Sequence, residues 1–173
     1  ADRDNRLAPQ STALRLAADA LVVTAMPGSD KEDSTLANLA GVVSAAHRWD
    51  VAVLAEMVPG GFNSGPDTRS PAAIGLAVRL GAELGADFIK SPYCADFASV
   101  ASCTFAPVVI LGGSKTSERQ MLVDIRAAID AGGAGVAIGR NVFQAPDPAA
   151  MTAAIVAIVH NDASVDDAMA LIS

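Results

Sequence analysis

The chain is short of the residues on which disulfide-stapled folds, metal centres and nucleic-acid surfaces depend. Its 173 residues include two cysteines and two histidines. Cys94 and Cys103 belong to no C-x-x-C and have no histidine pair nearby, which argues against a disulfide framework, zinc and redox chemistry. His47 and His160 each fall at the end of a predicted helix, where a histidine more often meets the helix dipole than a metal. Basic residues are scarce too, 12 against 19 acidic, and the net charge of -7 is the wrong sign for a nucleic-acid or anionic-membrane partner. Apolar runs such as residues 18–24, 51–55 and 108–111 fall far short of the roughly 20 needed to cross a bilayer. The first six residues, Ala-Asp-Arg-Asp-Asn-Arg, lack the basic-then-apolar layout of a secretory signal. These absences predict a soluble, reduced, cytoplasmic protein.

What is present is a core. Hydrophobic residues make up 51% of the chain, ample for one packed domain. Residues 18–26 form a β-branched apolar run ended by Pro27-Gly28, the pattern of a strand buried on both faces. A helix follows, capped by Asp33 or Ser34, with Leu36, Leu39, Ala40, Val43 and Ala46 at helical spacing and an end near His47 and Arg48. The unit then recurs: strand 51–57, a Gly/Pro-rich loop over 59–67, and a helix opened by Ser70-Pro71 and running through Leu84. A third strand spans 86–90, a short helix 96–103, and a fourth strand 107–111. A helix over 116–131 opens on the half-satisfied capping pair Thr116 and Arg119. A fifth strand over 135–138 and helices over 148–159 and 165–172 complete the order.

Five apolar strands alternating with helices predict an α/β fold with a parallel sheet. No G-x-G-x-x-G follows the first strand, which argues against a doubly wound dinucleotide fold. The glycines collect after the fourth and fifth strands instead, as Gly112-Gly113-Ser114-Lys115 and Gly139-Arg140-Asn141. In a (β/α)8 TIM barrel the phosphate site is frequently built from the loops after the last two strands. A full barrel takes about 250 residues, so the chain reads as strands four to eight, residues 1–173 forming the C-terminal part of one barrel domain. Five barrel strands do not bury their own edges. The expectation is a fragment, the alternative being that another chain supplies the missing wall.

Lysine occurs three times, so each position is informative. Lys90 ends the apolar run 86–89, which places an amine at the C-terminal end of a barrel strand, where catalytic groups of this architecture sit. It is either a nucleophile able to form a Schiff base or a strand-end lysine reaching solvent. Glu56 is the one charged residue in its strand. The period of two puts Glu56 and Val58 on one face and Met57 on the other. Glu56 is therefore either an acid or base at the barrel mouth or a carboxylate facing the helical layer. Gly112, Gly113, Gly139 and Arg140 offer backbone amides and a guanidinium to an anion, with Ser114, Lys115 and Asn141 as possible further donors. Lys115 serves equally well as a lead into Thr116. Tyr93 is close enough to Lys90 to reach the mouth.

The segments GADFIKSPYC, VVILGGSKTSERQML and AGGAGVAIGRNVFQAPDP closely resemble the class I aldolases of the deoxyribose-phosphate aldolase and archaeal-type fructose-bisphosphate aldolase superfamily, from about Ala18 to Ile172. The resemblance implies a metal-independent, cofactor-free enzyme. Lys90 would form a Schiff base with a phosphorylated ketose, and Gly112, Gly113, Gly139 and Arg140 would hold its phosphate. The resemblance further implies cleavage or formation of a carbon-carbon bond, with the protonated imine as electron sink. Homo-oligomers are common among such barrels, and the alanine-rich helices fit that.

The chain departs from the family at Val58-Pro59-Gly60-Gly61, where aldolase members carry Tyr-Pro-Arg-Gly with a proton-transferring tyrosine. Glu56 is the candidate replacement. The family's strand-one aspartate has no counterpart in these residues. Relatives without the tyrosine include a thiolase-type acetyl transferase, and synthases of aromatic biosynthesis keep the lysine while changing the acceptor. A barrel that kept its phosphate loops but lost the acid would be a non-catalytic phosphosugar-binding protein, the reading favoured if Glu56 faces the helices. A flavin or nucleotide-phosphate barrel gives Lys90 no task.

Overall fold

A computed structural model describes residues 10–172. Its elements run α1 (Gln10–Arg15), β1 (Ala20–Ala25), α2 (Glu32–Ala46), β2 (Ala52–Met57), α3 (Pro71–Glu83), β3 (Phe88–Ser91), α4 (Phe97–Ala101), β4 (Val108–Leu111), α5 (Glu118–Asp130), β5 (Gly135–Ala137), α6 (Arg140–Phe143), α7 (Pro148–Asn161) and α8 (Val165–Met169). Single 3-10 turns cover His47–Trp49 and Pro66–Arg69. The five predicted strands are all present, each trimmed by a residue or more at one or both ends. The reading of the first six residues as lacking a secretory signal lies outside the described part.

The strands form one parallel sheet in the order β1-β2-β3-β4-β5, so each strand pairs with its neighbour in sequence. That order requires every crossover to run over the same face, and the helices accordingly lie on one side. Val23, Ala25, Val53, Ala55, Met57, Ile89 and Ile110 point into that layer and are buried against Leu39, Val43, Ile74, Val78, Leu122, Ile125, Met151 and Ile158. Alternate residues face the other way. On that inner face the register aligns Thr24, Glu56, Lys90, Val109 and Gly135 in one row across all five strands. The inner face is not sealed as the helical face is: Val22, on β1, is 61% exposed.

Two caps differ from expectation. Helix α2 begins at Glu32 behind Lys31, without a side-chain cap; Asp33 lies within its first turn, and Ser34 donates back to the Lys31 carbonyl. Helix α5 begins later than Thr116, because Ser117 is its cap and its hydroxyl accepts from the Gln120 amide. Thr116 is instead drawn into the loop below, and Arg119 pairs with Asp166. His47 also has a specific partner. Its Nε2 lies 3.0 Å from Asp87 Oδ2, and the same carboxylate oxygen accepts from the Val53 amide at 2.7 Å, tying the end of α2 to the start of β2 and β3. Partial burial pushes the Asp87 carboxyl up, but the bonds from His47 and the Val53 amide outweigh it and hold the group below its ordinary value.

Candidate active site

Parallel strands present their C-terminal ends at one rim, and the loops leaving that rim converge. There a cavity of about 610 Å³ is lined from β2 by Glu56 and Val58, from β3 by Lys90, and from the loops after β4 and β5 by Gly112, Gly113, Ser114, Gly139 and Arg140. The loop after β2 adds Phe62 and Arg69, and the segment after β3 adds Pro92 and Tyr93.

Lys90 and Glu56 are register partners on adjacent strands. Lys90 Nζ stands 2.8 Å from Glu56 Oε1, with the two side chains 21% and 16% exposed. Glu56 therefore faces the inner surface and not the helical layer. Its second oxygen, Oε2, accepts a 2.7 Å hydrogen bond from Thr24 Oγ1 on β1. Both carboxylate oxygens are thus engaged, one by a hydroxyl and one by the ammonium. Val58 is 1% exposed and supplies only an apolar wall.

The two glycine loops are held together by Asn141. Its Nδ2 donates to the carbonyls of Gly112 at 2.7 Å and Ser114 at 3.0 Å, while Oδ1 accepts from the Thr116 amide at 2.9 Å. With the side chain 1% exposed and its bonding spent on the loop, Asn141 clamps the site and is not free to meet a ligand. Arg140 Nη2 reaches across to the Gly113 carbonyl at 2.8 Å. Gly112 has a steric reason to be glycine: a Cβ there would stand 2.7 Å from Ile138 Cγ2. Gly113 has φ +59°, a conformation glycine adopts without strain. Lys115 is exposed and does not line the cavity; Thr116 lines it instead.

Thr24 and Arg69 escaped the sequence reading. Thr24 falls two residues from Val22 on the inner face, but its value depends on a pairing register that a single strand does not reveal. Tyr93 does line the cavity, its ring tilted 40° against that of Phe97 with centroids 5.9 Å apart. Burial pushes its hydroxyl up in pKa, and nearby Asp124 adds to this. Cys94 is likewise raised, first by burial. Among the described residues no three His, Cys, Asp or Glu side chains cluster to hold a metal ion, and no helix is long and apolar enough to cross a membrane.

A parallel βα wall with a lysine at a strand end and two glycine loops at the same rim is the arrangement found at the catalytic face of (β/α) barrels. The family model of DeoC/LacD family aldolases matches residues 2–145, and the chain belongs to that family. It is 43% identical over 152 residues to 2-amino-4,5-dihydroxy-6-oxo-7-(phosphonooxy)heptanoate synthase of Streptomyces griseus, covering 86% of this chain and 55% of that protein. It is 45% identical over 161 residues to 2-amino-3,7-dideoxy-D-threo-hept-6-ulosonate synthase of Halobacterium salinarum, covering 91% and 60%. A solved archaeal fructose-1,6-bisphosphate aldolase, its catalytic lysine covalently bound to the carbinolamine intermediate, superposes with a TM-score of 0.79 at 30% identity, covering 86% of this chain and 61% of that one. The chain therefore spans less than two thirds of the length of these relatives. Its fold is that of their (β/α)8 barrel, over about strands four to eight.

Proposed function

We propose that the chain is the C-terminal part of a single barrel domain, residues 1–173, in a metal-independent class I aldolase that joins or cleaves a carbon-carbon bond of a phosphorylated ketose. The observation that carries this reading is the Glu56–Lys90 pair, 2.8 Å apart at the floor of a cavity roofed by the glycine loops. An ammonium is not a nucleophile, so the carboxylate beside it takes its proton. The neutral Lys90 amine then adds to the ketone carbon. Glu56 returns that proton to the carbinolamine hydroxyl, which leaves as water to give a protonated imine, and the electrons of the breaking bond between the carbons α and β to that imine flow into it as an enamine. Glu56 accepts the hydroxyl proton of the departing aldehyde half. Protonation of the enamine and hydrolysis restore Lys90.

Gly112, Gly113, Ser114 and Gly139 line the phosphate end, with Arg140 beside them. Lys115 contributes to that end through its charge only, since its side chain lies outside the lining. The protein works in the cytoplasm as a homo-oligomer, with no nucleic-acid or membrane partner.

Two relatives at 43% and 45% identity are named as synthases, which favours the condensing direction as a second reading. Reduction with borohydride in the presence of dihydroxyacetone phosphate, followed by peptide mapping, tests the chemistry. A reduced triose phosphate on Lys90 is expected. An unmodified Lys90 in a folded full chain overturns the lyase and synthase readings alike and leaves a phosphosugar-binding barrel.

A further inference from the structure

The proposed chemistry leaves Thr24 without a task, although its hydroxyl bonds directly to the pair that does the work. Thr24 faces inward from β1 and pairs in register with Glu56. Its Oγ1 donates to Glu56 Oε2 at 2.7 Å, while Glu56 Oε1 stands 2.8 Å from Lys90 Nζ. Glu56 and Lys90 line the cavity, but Thr24 does not. Whatever Thr24 does to a bound molecule is therefore done through the carboxylate.

The hydroxyl has little freedom. A β-branched side chain is stiff about χ1, and β1 and β2 pair residue for residue from Ala20 and Ala52 to Ala25 and Met57. Just beyond, the Val58 amide donates to the Ala25 carbonyl at 2.9 Å and the Gly60 amide to the Pro27 carbonyl at 2.7 Å, so the two strands stay joined as they leave the sheet. The consequence is a difference between the two carboxylate oxygens. Oε2 already receives the Thr24 hydrogen, and the oxygen beside the ammonium is Oε1. A proton leaving Lys90 arrives on Oε1, while Thr24 keeps its own hydrogen throughout. Without that anchor the carboxyl turns about χ3, a broad torsion, and a proton carried to the far side is out of reach of the reacting carbon.

We infer that Thr24 is a positioning residue, which fixes the orientation of Glu56 so that one oxygen, Oε1, both takes the Lys90 proton and returns it. The use made of that proton rests on the proposed function; the orientation rests on the two bonds alone.

The test is a double-mutant cycle on the full-length protein. Thr24→Val keeps the shape and removes the donor, and is expected to lower kcat about 5- to 10-fold. KM for the phosphorylated ketose is expected to change by less than about twofold, and Thr24→Ser to restore kcat. Thr24→Ala, which also lacks the hydroxyl, is expected to match Thr24→Val. In a Glu56→Gln background Thr24→Val is expected to cost less than about twofold, because the group it positions is gone. A second readout follows the Glu56 carboxyl by carbon-13 NMR of glutamate-labelled protein, assigned by its loss in Glu56→Gln. Removing a donor to the ionised form disfavours that form, so the titration midpoint is expected to rise in Thr24→Val and to return in Thr24→Ser. The other titratable groups lining the cavity, Arg69, Lys90, Tyr93, Asp124 and Arg140, are the same in every variant. Equal loss in both backgrounds, an unchanged kcat in Thr24→Val, or an unmoved midpoint overturns the inference. The aldolase reading fails separately, in the borohydride experiment, and the titration is read whichever way that comes out.

Discussion

Glu56 and Lys90 meet as partners in the β2–β3 register, and Thr24 on β1 occupies the third place in the same row, bonded to the carboxylate oxygen that the amine does not use. The three side chains form a line across the wall, hydroxyl to carboxylate to ammonium.

Removing the two ends of the charge pair separates their tasks. Lys90→Ala is expected to abolish turnover while leaving phosphate-ligand binding in place. Glu56→Gln keeps the shape but removes the carboxylate that the proposed mechanism uses as proton acceptor, and kcat is expected to fall by about 10² to 10⁴. Thr24→Val, which leaves Glu56 Oε2 without its donor, costs a smaller factor of about 5 to 10 in kcat, with Thr24→Ser restoring it. Steady-state kinetics on purified full chain, with borohydride trapping as a second readout, checks all four variants. Near-normal turnover by Lys90→Ala removes the mechanism.

Arg140→Ala is expected to raise KM for phosphorylated substrates much more than for unphosphorylated ones, because the lost guanidinium lies beside the glycine loops and away from the Glu56–Lys90 pair. Comparing a phosphorylated ketose with its unphosphorylated parent decides the point. A similar rise for both assigns Arg140 to holding the loop through its bond to Gly113.

Asn141→Ala leaves the Thr116 amide and two carbonyls of the loop after β4 without their partner. A cost of about 1–3 kcal/mol in stability is expected, with weaker phosphate binding because both loops lose their common tether. Gly112→Ala should weaken phosphate binding by a different route, since its new methyl meets the stiff β-branched Ile138. Adding Ile138→Ala should recover part of that loss. Denaturant melts and calorimetric titration with inorganic phosphate read both effects.

The His47–Asp87 contact makes a pH prediction. A carboxyl held below its ordinary value stabilises the folded state while it is ionised there, above the unfolded pKa of about 3.9, and the gain disappears as pH falls through the lower folded value. The stability difference between the parent protein and Asp87→Asn should accordingly shrink below about pH 4. A difference that grows on acidification would reverse the sign assigned here.

Much of this was legible in the residues. Apolar runs at 51–55 and 107–111 mark strands because a sheet covered by helices needs no polar alternation, and Glu56 and Lys90 stand out because each closes an apolar run. The period-two alternation places Glu56 and Val58 on one face, and both line the cavity. The caps were less legible: Thr116 and Ser117 are chemically alike, and which one caps α5 depends on Asn141, 25 residues further on, claiming the Thr116 amide. Asn141 itself reads as a possible ligand donor because an amide in a glycine loop looks the same in sequence whether it turns toward the cavity or back into the loop. Thr24 and Arg69 gain their meaning only from what lies across the sheet and the cavity.

The row that carries Thr24, Glu56 and Lys90 also works as a proofreading device for assembly of the wall. A one-residue slip of β3 would turn Lys90 to the helical side, among Met57, Ile74 and Val78, and swing Ile89 into the cavity. An ammonium without a partner in that layer costs several kcal/mol, a large share of a domain's total stability. Misregistered molecules would therefore be unstable, and would not persist as well-folded copies with Lys90 missing from the cavity.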